Sequence, residues 1–99
     1  MAIETRPFDA AEYLDTPEAI IAYLEDALAD ADPGEFIEAL GVVARAKGMA
    51  SIARDIGVAR PALYRSLSEA GRPEFGTVMK VLHTLGLSFH VSVAANSKT

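Results

Sequence analysis

The stretch from Ser51 to Leu67, SIARDIGVARPALYRSL, limits the possible fold more than any other part of the chain. Two short amphipathic segments meet there with only Gly57, Val58 and Ala59 between them. Helices joined so tightly must cross at a steep angle, and three positions then become critical. The first helix needs a small residue at the crossing, the turn needs a residue tolerant of positive φ, and the second helix needs an apolar residue near its middle. Ala53, Gly57 and Leu63 stand at those places, and Ile52, Ile56 and Val58 offer the remaining buried positions. The spacing Ala-x3-Gly-x5-Leu is that of a helix-turn-helix. Alanine and glycine also fall at these spacings by chance in helical proteins, so the surroundings have to decide.

The surroundings are helical almost throughout. In TPEAIIAYLEDALADA, Thr16 is an N-cap, Pro17 suits the first helical position, and Ile20, Ile21, Leu24 and Leu28 recur at helical spacing. In DPGEFIEALGVVARAKG, Asp32 caps, Pro33 opens and Glu35 follows three residues after the cap, while Phe36, Ile37, Leu40, Val43 and Ala44 form the apolar stripe. Gly48 is placed to stop that helix. MASIARDIG, VARPALYRSLSEAG and PEFGTVMKVLHTLG predict three shorter helices, closed by Gly57, Gly71 and Gly86. Phe8, Tyr13 and Leu14 offer anchors onto this core from the N-terminal side.

The chain ends on a different rhythm. In LSFHVSV, Leu87, Phe89, Val91 and Val93 alternate with Ser88, His90 and Ser92, which predicts a strand with one apolar face. A lone strand cannot satisfy its own backbone. The simplest partner is the same strand of a second copy, antiparallel across a two-fold axis, so Leu87, Phe89, Val91 and Val93 are the expected dimerisation residues. A different protein or the N-terminal residues are the other candidates. The expected organisation is an acidic helical segment over 1–32, the helix-turn-helix domain over 33–86, a strand over 87–95 and a tail over 96–99. The fold class is all-α, with about five helices and a short C-terminal strand.

Charge divides the chain. Its 99 residues carry a net charge of −5. The first forty hold eleven acids against Arg6 alone, a balance of −10, while the remainder holds eight bases against three acids, a balance of +5. Such asymmetry suggests two surfaces with different partners. On the acidic half, the plainer alternative is a solvated helix face.

Turning the second helix of the motif at about 100° per residue places Leu63 and Leu67 inward and Arg65 nearly opposite. Arg60 sits in the first turn, where side chains project past the helix end. A recognition helix presents its N-terminal residues to the major groove, so Arg60, Pro61, Tyr64 and Arg65 are the candidates to lie near bases. An arginine matches the paired O6 and N7 acceptors of guanine, and Pro61 could pack on a thymine methyl. Lys47, Ser51 and Arg72 lie near helix ends and junctions, where phosphate contact is plausible.

At this point a resemblance is visible. Pro33 to Gly86 resembles the lambda-repressor-like (Xre/Cro) helix-turn-helix domain. Residues 8 to 90 resemble a narrower group, the HigA-like probable addiction module antidote proteins. The residues that carry it are YLDTPEAIIAYLEDAL, EFIEALGVVARAKGM, IARDIGVARPALYRSL and GRPEFGTVMKVLHTLGLSF. Within them the tract formed by Arg60, Leu63 and Tyr64, followed by Gly71, Pro73, Phe75 and Thr77, is the most specific. The resemblance implies an antitoxin of a type II toxin–antitoxin module, with a small basic toxin of the RelE/ParE/HigB type as partner. It also implies repression of its own operon by a homodimer on double-stranded operator DNA. Ala59 departs from the pattern, because such recognition helices often begin with serine or threonine, and Pro61 in the first turn is unusual. With this resemblance, Glu25, Asp26, Asp30, Glu35 and Glu38 become the candidate toxin-facing charges.

Other chemistry finds little footing. The chain has no cysteine, which excludes disulfides and thiolate metal sites. His83 and His90 show no metal-ligand spacing. No glycine loop is arranged to cradle phosphate. No enzyme activity, metal or cofactor is expected. No apolar run approaches the roughly 18 residues of a membrane span, and the N-terminus lacks a secretory pattern, so a cytoplasmic protein without membrane contact is expected. Two alternatives stay open: an antitoxin that binds only protein, and a stand-alone phage-type repressor.

Overall fold

A computed structural model describes residues 13–29, 32–68 and 71–93. Five helices follow one another: α1 (Pro17–Ala29), α2 (Pro33–Lys47), α3 (Met49–Ile56), α4 (Arg60–Ser66) and α5 (Phe75–Thr84). The starts of α1 and α2 are chemically specified. Thr16 Oγ1 accepts a hydrogen bond from the Ala19 amide at 3.1 Å, and Asp32 Oδ1 accepts one from the Gly34 amide at 2.9 Å. Each satisfies a donor that the helix itself leaves unpaired. Prolines at Pro17 and Pro33 occupy positions where no amide donor is needed.

The core is organised around α2. Leu40, Val43 and Ala44 are fully enclosed, together with Leu63 of α4 and Val81 of α5. α1 packs on α2, and α3 packs on α2, α4 and α5. The stripe expected on α2 is present, with Ile37 only partly covered. α1 differs from expectation. It buries Ile20 and Leu24, but Ile21 and Leu28 remain 43% and 50% exposed. The reason is that α1 has α2 as its main neighbour, so only a narrow stripe is covered. Leu14 is buried as expected, whereas Tyr13 is exposed and Phe8 lies outside the described residues.

Gly41, in the middle of α2, has a packing role that its sequence neighbours do not advertise. A Cβ at this position would lie within contact-forbidding range of the Leu67 carbonyl oxygen at the end of α4. Hydrogen in place of a methyl lets the two helices touch. Alanine in a helix interior is ordinarily worth up to about 1 kcal/mol over glycine. Here overpacking should reverse the sign, because it costs roughly 1–3 kcal/mol. Gly41→Ala is therefore expected to lower the midpoint of urea unfolding, and a raised midpoint would contradict the close approach.

The C-terminal segment corrects the sequence reading. No strand forms over 87–93 in the single chain, since no second extended segment lies alongside it among the described residues. Its alternation is nevertheless expressed. Leu87 and Phe89 pack against the core, while Val91 and Val93 stand 98% and 86% exposed. Phe89 lies between two rings, 5.8 Å from Phe36 and 6.0 Å from Phe75, nearly parallel to the latter at 11°. The four residues expected to dimerise thus divide into an anchored pair and an exposed pair.

Candidate functional site

α3 and α4 are joined by a turn whose geometry follows from Gly57. This residue has φ 78° and ψ 33°, in the left-handed region that glycine enters without a Cβ penalty. Its amide donates to the carbonyls of Ala53 at 2.9 Å and Arg54 at 3.3 Å, and the Val58 amide donates to Ala53 at 3.0 Å. This is the hydrogen-bond pattern of a Schellman stop. α4 then starts from Ala59, whose backbone is extended at φ −71° and ψ 139° and whose side chain offers no cap. The Leu63 amide donates to Ala59 at 3.0 Å and closes the first turn.

Ala53, Gly57 and Leu63 meet at this junction of α3 and α4. Ala53 and Leu63 are buried and Gly57 is left-handed. Met49 and Ile52 complete the inner face of α3. Ile56 is only partly buried, and Val58 is a correction, because it is exposed. Val58 follows the glycine stop, where its amide closes the end of α3 on the Ala53 carbonyl and its side chain stays outside the core.

With Leu63 and Leu67 buried, the other face of α4 is open. Arg60, Pro61, Tyr64 and Arg65 are all exposed on this one helix. Lys47 is exposed in the last turn of α2, and Ser51 on the first turns of α3. Arg72 is exposed just beyond α4, where Gly71 fits tightly against the carbonyls of Arg65 and Ser66. The structure adds Arg54, which the sequence reading did not single out. Its guanidinium donates to Ser51 Oγ at 3.3 Å and lies 3.9 Å from Asp55, so α3 presents a hydroxyl and a cation together. The signal was an Arg three residues after a Ser, which is one helical turn.

The acidic residues expected to face a partner do not form one group. Asp26, Glu35 and Glu38 line a groove between α1 and α2, floored by Ala27, Ala39 and Val42. Glu25 lies instead at a second groove, beside Ile21 and Leu28. Asp30 lies outside the described residues. Helical rotation explains the division: Glu25 and Asp26 are adjacent in sequence and therefore about 100° apart around α1.

Both histidines are exposed, and Ser88 Oγ lies 3.4 Å from His90 Nε2. Among the described residues no cluster of histidine and carboxylate side chains could hold a metal ion. No helix there is long and apolar enough to cross a membrane.

Known proteins agree with the antidote half of the resemblance. The model of a family described as "Probable addiction module antidote protein" matches residues 4–93. An uncharacterized protein of Haemophilus influenzae is 44% identical over 91 residues, covering 92% of this chain and 94% of its own length. No solved structure matches the chain. With nearly the whole chain inside the matched range, this protein belongs to the family of probable addiction module antidote proteins.

Proposed function

We propose that this protein is the antitoxin of a type II toxin–antitoxin module, and that it represses its own operon as a homodimer. In this reading α3, the Gly57 turn and α4 are a helix-turn-helix of the Xre/Cro type, and the chain is HigA-like. The observation that carries it is the exposure of Arg60, Pro61, Tyr64 and Arg65 on α4 while Leu63 and Leu67 are buried, with Arg65 nearly opposite the buried pair and Arg60 in the first turn. A helix so presented is suited to the major groove. Lys47, Ser51, Arg54 and Arg72 then flank it with donors for phosphate. Half-sites of the operator would lie about 34 Å apart, one turn of DNA.

The toxin is a small basic protein, and its docking surface is the α1/α2 groove. Asp26, Glu35 and Glu38 attract its cations, while Ala27, Ala39 and Val42 accept the aliphatic part of a lysine or arginine. Co-expression with the small basic protein of the adjacent reading frame should restore growth, and the two should co-purify. Asp26→Lys/Glu35→Lys/Glu38→Lys reverses the field of the groove. It should slow association on the order of tenfold or more, the scale of electrostatic steering. Association unchanged in this variant would remove the groove from the account.

An antitoxin that binds protein and not DNA is the second reading. Two observations favour it: the net charge of −5, and the absence of a side-chain cap at the start of α4.

A further inference from the structure

The second groove of α1 is of a different kind from the acidic one. Ile21, Leu24 and Leu28 form one wall, and Phe36, Leu82 and Phe89 the other, enclosing about 360 Å³. Among the described residues that line it, Glu25 is the one carboxylate. At its mouth the chain runs out through Leu87 to Val93. The Leu87 amide donates to the Leu82 carbonyl at 2.8 Å. From Ser88 to Val93 no backbone group has a backbone partner among the described residues. Two almost fully exposed valines follow directly, and Phe75, which stacks on Phe89, is 68% exposed. Unpaired backbone that carries β-branched side chains is an edge awaiting a strand.

We propose that a second copy of this chain closes this groove, its segment 87–93 paired antiparallel with the first about a two-fold axis at His90. The proposal deepens the homodimer of the functional reading by naming its surface and register. Pairing about His90 sets Phe89 opposite the partner's Val91 and Leu87 opposite the partner's Val93. Each exposed valine then covers a half-buried side chain at the mouth of the other copy's groove, and Ser88, His90 and Ser92 remain on the polar face. A register shifted by one residue would set polar against apolar positions.

Three considerations select a second copy over another protein. The segment is complementary to itself in this register, as a two-fold contact demands. Ile21, Leu28, Phe75, Val91 and Val93 together expose an apolar area comparable to the few-hundred-Å² patches that mark interaction sites. Two such faces approach the roughly 1,000 Å² of total burial that a specific interface needs. Finally, each copy carries a charge of −5, and this groove is a place where two copies can meet with few like charges in contact.

The absence of native cysteine makes the register directly testable. Residues opposite one another in an antiparallel pair have Cα atoms about 4.5–5.5 Å apart, which falls inside the span a disulfide can bridge. His90→Cys in the full chain should therefore oxidise mainly to a linked dimer. Ser92→Cys alone should not, because its own copy would be four residues away, about 13 Å. A mixture of Ser88→Cys and Ser92→Cys should link the two different chains. Light scattering should give a dimer for the unmodified protein and a monomer for Val91→Glu/Val93→Glu, whose helical circular dichroism should be unchanged.

A dimer in which His90→Cys links no faster than Ser92→Cys would overturn this pairing and leave the homodimeric repressor intact. A monomeric unmodified protein would overturn both the pairing and the dimeric part of the reading. Toxin binding lost in the double glutamate variant of such a monomer would assign the groove to the toxin. Efficient linkage at His90→Cys, in a protein that ignores operator DNA, would uphold the pairing while the repressor reading fell.

Discussion

Truncation of Leu63 to alanine is expected to destabilise the protein by about 2–5 kcal/mol, the range for removing an enclosed leucine. Leu63 is 1% exposed and sits where α4 meets α3 and the core around α2. Its backbone also joins both turns of α4, donating to Ala59 and accepting from the Leu67 amide, each at 3.0 Å. A helix of seven residues cannot persist without its packing, since isolated helices that short are unstable in water. In a domain of this size total stability is on the order of 5–15 kcal/mol. The melting temperature should fall by roughly 8–40 °C, taking about 4–8 °C per kcal/mol. Thermal melts by circular dichroism would measure it. A loss below about 1 kcal/mol would mean that α4 is held by something other than Leu63.

The second large effect falls on function and leaves stability alone. Arg60→Ala/Arg65→Ala removes two exposed guanidinium groups from the open face of α4. If each makes a bidentate contact with a guanine, each contributes about 1–3 kcal/mol of discrimination. The double variant should then bind the operator on the order of 100-fold more weakly, because every 1.4 kcal/mol is about tenfold. Exposed side chains of this kind usually alter stability by less than about 0.5 kcal/mol. A melting temperature close to that of the unmodified protein would therefore separate loss of contact from loss of fold. Isothermal titration with the operator duplex would check the affinity, and an affinity reduced less than about threefold would place recognition elsewhere.

The contrast between these two substitutions reflects what a sequence can and cannot convey. Helix starts were legible because their chemistry is local: Thr16 and Asp32 cap within three residues of themselves. The stop at Gly57 and the inward pair Leu63 and Leu67 were legible for the same reason, and they fix which face of α4 is open. The fate of Ile21 and Leu28 was not. Periodicity places them on the apolar side of α1, but only the number of neighbouring helices decides whether that side is covered. Gly41 was silent because its importance lies in Leu67, twenty-six positions away. The expected strand failed in the single chain because pairing is a property of two segments, and the alternation of 87–93 specifies one. The acidic group divided because adjacent residues on a helix face different ways, which composition does not register.

The most direct test of the central claim is a salt series of fluorescence-anisotropy titrations of the unmodified protein. One duplex would carry the DNA immediately upstream of its own gene and the other the same bases scrambled. The account predicts a preference for the upstream duplex of about 10³-fold or more, the lower range for specific recognition. Both affinities should fall steeply with salt, as phosphate contact requires. Equal or negligible binding to both duplexes at every salt concentration would contradict it, leaving an antidote that acts through protein contact alone.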